Sequence, residues 1–376
     1  MAEPFKNLID ADLVRVMAAQ LRRAWPRFPQ EQFEHLAQDG LAALELKARV
    51  EHVATALLAT LPPTFATAAD VLEASLAPAR LDTDLSLLRP GPDGLAGWAV
   101  WPLCAYVARK GLDQPQRALG CLHALTQRHT AEYAIRPFLL QHARLTFATL
   151  RRWVADPSPH VRRLVSEGSR PRLPWGVQLP PLLADPSPTL PLLAALQDDA
   201  SDYVRRSVAN HLNDIAKDHP AVVAEWLERH LPGAPPPRRA LLQHASRTLI
   251  KRGDARVLAA WGLGRALRGA ATLSITPRRA AFGGEVVLTV TLQSKATTAQ
   301  PLVVDYAVHH VRANGATSAK VWKGWNLTLA PREHRELTRR HSLRPVTTRR
   351  LHPGRHAVDL RVNGRVVARA AFDLRR

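Results

Sequence analysis

Cysteine is almost missing from this sequence. Cys104 and Cys121 are the only two among 376 residues. Two thiols cannot build a disulfide framework or a cysteine-based zinc centre, so a reducing compartment is expected. Long apolar runs are missing too. The longest, Gly94 to Ala108 ("GLAGWAVWPLCAYVA"), is too short to span a bilayer and contains Pro102. The N-terminus has no basic stretch followed by an apolar one, so no signal peptide is expected. No Walker loop, dinucleotide fingerprint, HExxH helix or GxSxG elbow occurs. Sixteen histidines are present, none at a metal-ligand spacing, so neither a metal nor a cofactor is expected.

Acidic residues are scarce. Asp and Glu total 32 against 52 Lys and Arg, a net charge of +20. That balance favours a polyanionic partner, nucleic acid before an acidic membrane surface. The plainer alternative is arginine used as a generic surface residue. Hydrophobic residues make up 46%, which excludes wholesale disorder, and the length is enough for two cores.

Residues 1–270 read as helical. Segments such as "DADLVRVMAAQLRRAW" and "AVVAEWLERHL" carry apolar residues at helical spacing, separated by clusters such as "LPPT", "DPSP" and "LPGAPPP". A repeat is visible: "DPSPHVRRLVSE" from Asp156 and "DDASDYVRRSVAN" from Asp198 place Val161 and Val204 43 residues apart. "RRALLQHASRTL" from Arg238 is a weaker third copy. This period suits HEAT-like helix pairs stacked into an all-α solenoid. Arg162, Arg163, Arg205 and Arg206 could then line a concave DNA-binding face. Alternatively, they pair with the Asp of the next repeat.

The pattern changes at residue 271. Seven segments rich in Val, Thr and Leu alternate at period two, and "VNGR" at Val362 signals a hairpin. Residues 271–376 therefore read as an all-β immunoglobulin-like sandwich, making the protein multidomain. This part holds 19 Lys and Arg against 6 Asp and Glu, or +13 of the +20. It is expected to touch the polyanion through Lys320, Trp322 and Lys323, with His309 and His310 on the preceding strand.

Three stretches place a carboxylate near a helix end: Glu132 in "HTAEYAIRPFLLQH", Glu167 in "SEGSRPRLPW" and Asp214 in "ANHLNDIAKDHP". A lone acid there is ordinarily a cap or an arginine partner. Glu132 could pair with Arg136, and Asp214 with Lys217. The second stretch is unusual. Pro171 and Pro174 stiffen the backbone that presents Trp175, and Gly168 permits close approach to a ligand. Arg170 and Arg172 hold flanking phosphates or orient Glu167.

"SEGSRPRLPWG", "EYAIRPF" and "VRRSVANHLNDIAKDHP" resemble the bacterial HEAT-like DNA alkylation repair glycosylases. "GWAVWPLCAYV" and "KVWKGWNLTL" resemble their AlkC subfamily, which adds a C-terminal Ig-like domain. The resemblance covers nearly the whole chain. It implies a monofunctional glycosylase of base excision repair, a cytoplasmic, nucleoid-associated monomer acting on alkylated double-stranded DNA. Its substrates would be cationic N3-alkylated bases such as 3-methyladenine and 3-methylcytosine, excised without a deep base-flipping pocket. Glu132, Glu167 and Asp214 would be the catalytic acids and Trp175 the catalytic aromatic. Two rivals stay open: a non-catalytic HEAT scaffold for DNA or an acidic protein, and a nuclease, for which the acids are too scattered.

Overall fold

The computed structural model describes residues 4–81, 84–346 and 350–375. Among the described residues, fifteen α-helices up to Ala260 are followed by eight strands from Gly269 onward. The compact units do not follow that change of secondary structure. One unit runs to Asp218 and includes Pro236–Leu241; the other joins His219–Pro235 to Leu242 and beyond. Among the described residues no single helix is long and apolar enough to cross a membrane.

In the first unit the repeat is a repeat of hydrogen bonds. Asp156 Oδ1 accepts from the Ser158 amide at 2.8 Å, and Asp199 Oδ1 accepts from Ser201 at 2.8 Å. Arg162 then donates back to the carbonyls of Asp156 and Pro157, as Arg205 does to those of Asp199 and Ala200. The second copy is thus anchored on Asp199, one residue later than the Asp198 at which the sequence match begins. Arg162 also forks onto Asp199 at 2.6 and 2.9 Å, tying the first copy to the second.

Each turn launches a helix. Pro159 opens Pro159–Gly168, where its missing N–H costs nothing. This helix packs against the Asp202–Asp218 helix, and Val161, Leu164 and Val165 on the one and Val204, Val208 and Leu212 on the other are each at most 1% exposed. Burying one such side chain contributes about 1.5–3 kcal/mol, so the two helices are fixed side by side.

In the second unit the strands are β1 Gly269–Thr276, β2 Arg279–Ala281, β3 Glu285–Ser294, β4 Gln300–Val311, β5 Thr317–Leu329, β6 His334–Ser342, β7 Gly354–Val362 and β8 Arg365–Arg375. They form two sheets, β1-β3-β6 and β2-β8-β7-β4-β5. The seven segments read from the sequence are all strands; the eighth, β2, has three residues and is too short to show alternation. Asn363 (φ 48°) and Gly364 (φ 77°) make the β7–β8 hairpin with the positive φ angles such a turn requires. Both cysteines are free and buried.

Candidate active site

Glu167 lies in the last turn of the Pro159–Gly168 helix, and the Asp202–Asp218 helix passes beside it. Three acids and three bases alternate across this junction. Arg163 donates to Glu132 Oε2 at 2.6 Å and lies 3.6 Å from Glu167 Oε1. Arg170 donates to Glu167 Oε1 at 2.6 Å and to Asp214 Oδ2 at 2.8 Å. Lys217 closes the row on Asp214 Oδ1 at 2.8 Å. All three carboxylates are buried, with residue exposures of 7%, 6% and 1% for Glu132, Glu167 and Asp214.

Such burial requires compensation. Burial alone pushes the Glu167 carboxyl up. Arg163 and Arg170, with the Ser207 hydroxyl at 2.6 Å, outweigh it and hold Glu167 below the usual carboxylate range. Burial also works against the Arg163 cation, but Glu132, Tyr203 and Glu167 keep it protonated, and its guanidinium lies 4.9 Å from the Tyr203 ring centre. The Thr130 hydroxyl completes the Glu132 site at 2.7 Å.

Trp175 belongs to the segment that follows. Its backbone is left-handed (φ 65°) and its side chain is 64% exposed. Two cations pin this segment. Arg136, fully buried, donates to the carbonyls of Gly168 (2.9 Å), Arg170 (2.8 Å) and Val177 (2.5 Å). Burial first, and Arg170 second, push Arg136 down to about 10. From the other side Lys47 donates to the Trp175 carbonyl. Trp175 and Val177 then form one wall of a cavity of about 440 Å³, whose other walls include Trp101, Tyr133, Thr130 and Arg109. Trp101 and Tyr133 stack at 5.4 Å. The cavity and the acid–base row thus meet at Thr130, which lines the cavity and donates to Glu132.

The structure gathers Glu132, Glu167, Asp214, Arg163 and Arg170, and it keeps the expected Asp214–Lys217 pair. The expected Glu132–Arg136 pair is corrected: Arg136 turns Nε and Nη1 to three carbonyls, and Arg163 pairs with Glu132 instead. Gly168 is corrected as well. A Cβ there would lie 2.5 Å from Ile135, so the close approach is to packed core and not to a ligand. Arg172 forks onto Asp218 at 2.8 Å through both nitrogens. Arg162 and Arg205 have their head groups in the Asp turns. Arg206, 69% exposed at its side chain, holds only a surface pair with Asp202 at 3.0 Å.

On the sandwich, period two separates the expected cluster. His310 shares the inward face of β4 with Tyr306 and Val308. It is 3% exposed, 5.4 Å from the Trp322 ring, and therefore turned away from any surface partner. Trp322 stacks on Tyr306 at 5.8 Å. His309 faces the other way, onto Asp359 at 2.9 Å. Lys320 and Lys323 lie on β5, an edge strand, three residues apart and so on opposite faces. Lys320 sits 5.1 Å from the Trp322 ring centre, while Lys323 stands opposite Asp305.

The sequence reading missed Ser207, Thr130, Lys47 and the pinning role of Arg136. Ser207 follows the repeated "VRR", where the first copy carries Leu164, and nothing in that one difference marks it as a partner of Glu167. Among the described residues no group of acids, histidines or cysteines is arranged to hold a metal.

Comparison with known proteins bears on this arrangement. Residues 126–248, which hold the acid–base row, match the family described as DNA alkylation repair enzyme. Residues 269–376 match the C-terminal Ig-like domain of the uncharacterised protein YhaZ. These two matches define a DNA alkylation repair protein with an appended Ig-like domain. The chain is 35% identical to YhaZ of Bacillus subtilis (strain 168) over 370 residues, 96% of each chain. It is also 35% identical to the alkylpurine DNA glycosylase AlkC of Pseudomonas fluorescens, solved bound to DNA containing an abasic-site analogue, with full coverage of both chains and a TM-score of 0.90. The chain belongs to the AlkC family.

Proposed function

We propose that this chain is a monofunctional DNA glycosylase that removes cationic N3-alkylated bases, 3-methyladenine and 3-methylcytosine, from duplex DNA. The observation that carries the reading is the buried row of Glu132, Glu167 and Asp214, joined through Arg163 and Arg170 and followed directly by the pinned, exposed Trp175.

The chemistry asks little of the protein. A cationic base leaves with the electron pair of the C1′–N bond and becomes neutral, while the sugar becomes an oxocarbenium ion. Water then adds to C1′ and loses a proton, giving an abasic site. Fixed carboxylates stabilise the positive sugar and orient the water. An indole face attracts the cationic base. The AlkC match supports this reading because that relative is an alkylpurine DNA glycosylase.

The complete pairing of all three acids favours a second reading, a repeat scaffold in which the row only joins helices. One experiment separates them. The protein is incubated with N-methylated duplex DNA, with and without EDTA, and the released bases are identified by chromatography. Release of 3-methyladenine and 3-methylcytosine unaffected by EDTA, with no borohydride-trapped covalent complex, supports a monofunctional glycosylase. No release supports the scaffold, and chelator-sensitive strand cutting supports a nuclease.

A further inference from the structure

Arg170 makes two bonds that no other side chain in the row makes together. Its Nη1 reaches Glu167 on one helix, and its Nε reaches Asp214 on the next. Its own carbonyl is held by the buried Arg136 at 2.8 Å, and its amide bonds back to the Glu167 carbonyl at 3.3 Å. Pro171 follows at once, beyond the helix end at Gly168, and its ring restricts the backbone of Arg170. Backbone and guanidinium are therefore both fixed before any substrate arrives. The residue is 7% exposed, so its charge is spent inside the protein.

We propose that Arg170 is a positioning residue that sets the spacing of Glu167 and Asp214 by bridging the two carboxylates. The inference rests on the glycosylase reading for its consequence, but not for its geometry. A planar fork can span two carboxylates on different helices, whereas a lysine offers one point charge. Without this cation Glu167 would keep only Arg163, 3.6 Å away, and the Ser207 hydroxyl, too little to offset its burial, whereas Asp214 would still hold Lys217 at 2.8 Å.

The other groups around Glu167 do not replace Arg170. Arg163, on the same helix, is the second cation but leans toward Glu132, 2.6 Å away against 3.6 Å for Glu167. From the Asp202–Asp218 helix, Ser207 supplies a neutral hydroxyl at 2.6 Å. His211 there has Nδ1 on the Ser166 carbonyl at 2.9 Å, and burial pushes it down to about 4, so it is neutral at pH 7. Arg136 directs Nε and Nη1 to carbonyls and makes no hydrogen bond to Glu167. Glu132, from the preceding turn, adds negative charge.

The test uses the full-length protein and a duplex bearing one 3-methyladenine, under single-turnover conditions across pH. Arg170→Gln is expected to lower the saturating rate at least about tenfold. It should also move the acid limb of the rate profile upward by about one pH unit, the effect of losing an opposite charge at this distance. Arg170→Lys should restore much of the limb but not the rate. Affinity for undamaged duplex, and its slope against log salt, should stay as in the wild type. A folded Arg170→Gln protein with an unmoved limb overturns the proposal. A salt slope lower by about 0.9 also overturns it, since Arg170 would then be a phosphate contact.

Ser207→Ala guards against misfolding. It removes one bond to Glu167 without leaving a buried charge unpaired, and should move the limb the same way by less. If Arg170→Gln fails to fold, an unmoved limb in Ser207→Ala overturns the proposal. If the wild type releases no base, the glycosylase reading fails instead. Carboxyl carbon NMR titration of Glu167 in wild type and Ser207→Ala then still reads the positioning, and an unchanged Glu167 titration overturns it.

Discussion

The Arg163 guanidinium lies 2.6 Å from Glu132 Oε2 and 3.6 Å from Glu167 Oε1, so one cation serves acids 35 residues apart in sequence. Those acids come from separate segments, and this cation joins them. The junction between repeats is thus both the place where helices pack and the place where charge is concentrated.

Arg136 fixes the segment that carries Trp175. Arg136→Met fills a similar volume but leaves the carbonyls of Gly168, Arg170 and Val177 without their donor. An unsatisfied buried acceptor costs about 1–3 kcal/mol, so a total loss of roughly 3 kcal/mol or more is expected. Denaturant unfolding measures it. A loss under about 1 kcal/mol would show that the segment is held by its prolines alone.

Trp175 is exposed, so Trp175→Ala should change stability little. Its effect should appear in substrate choice. A cation against an indole face gains about 0.5–2 kcal/mol, and a neutral lesion does not. Excision of 3-methyladenine should therefore fall more than excision of a neutral lesion of similar size. Equal losses on both would reduce Trp175 to a packing surface.

Acid should destabilise the helical unit through His211. Its folded-state value, about 4, lies below the ordinary histidine value near 6.5. The unfolded chain therefore takes up the proton first as pH falls. Stability from the buried neutral ring is fully present above about pH 6.5 and is lost progressively toward pH 4. The melting temperature should fall between pH 7.5 and pH 5, and His211→Asn should flatten that fall. An equal fall in the variant would place the acid sensitivity elsewhere. Glu167, held below its ordinary range, would add its loss at still lower pH.

Lys320 and Lys323 occupy opposite faces of the edge strand β5. We expect each to contact phosphate separately, so that alanine at both lowers the slope of log affinity against log salt by up to about 2. Filter binding or anisotropy across salt concentrations reads this directly. An unchanged slope with new self-association would mean that the lysines only guard the edge against strand pairing.

The fold was legible because its signals are local. Alternation marked β1 and β3 to β8, and "VNGR" marked the hairpin at Asn363. The three acids were legible as individuals, each near a helix end. Their partners were not, because an ion pair such as Arg170–Asp214 spans 44 residues and depends on which helices touch. Arg136 shows the same limit. Its neighbour in sequence is a carboxylate at position 132, yet burial among carbonyls decided its role. The strand-facing errors have a simpler cause. His310 and His309 look equivalent in a list of residues, but period two sends one into the core and the other to Asp359.

The central claim is that the buried carboxylates act in bond cleavage and not only in packing. Single-turnover release of 3-methyladenine from a defined duplex, compared between wild type and Glu167→Gln, tests it most directly. Gln keeps the size of Glu and an acceptor for Arg170, but removes the charge. The expected result is a loss of at least about 100-fold in the excision rate, with DNA affinity nearly unchanged and the protein still folded at a lower melting temperature. Asp214→Asn and Glu132→Gln should fall in the same class. A folded Glu167→Gln protein that binds DNA and excises at the wild-type rate would contradict the account.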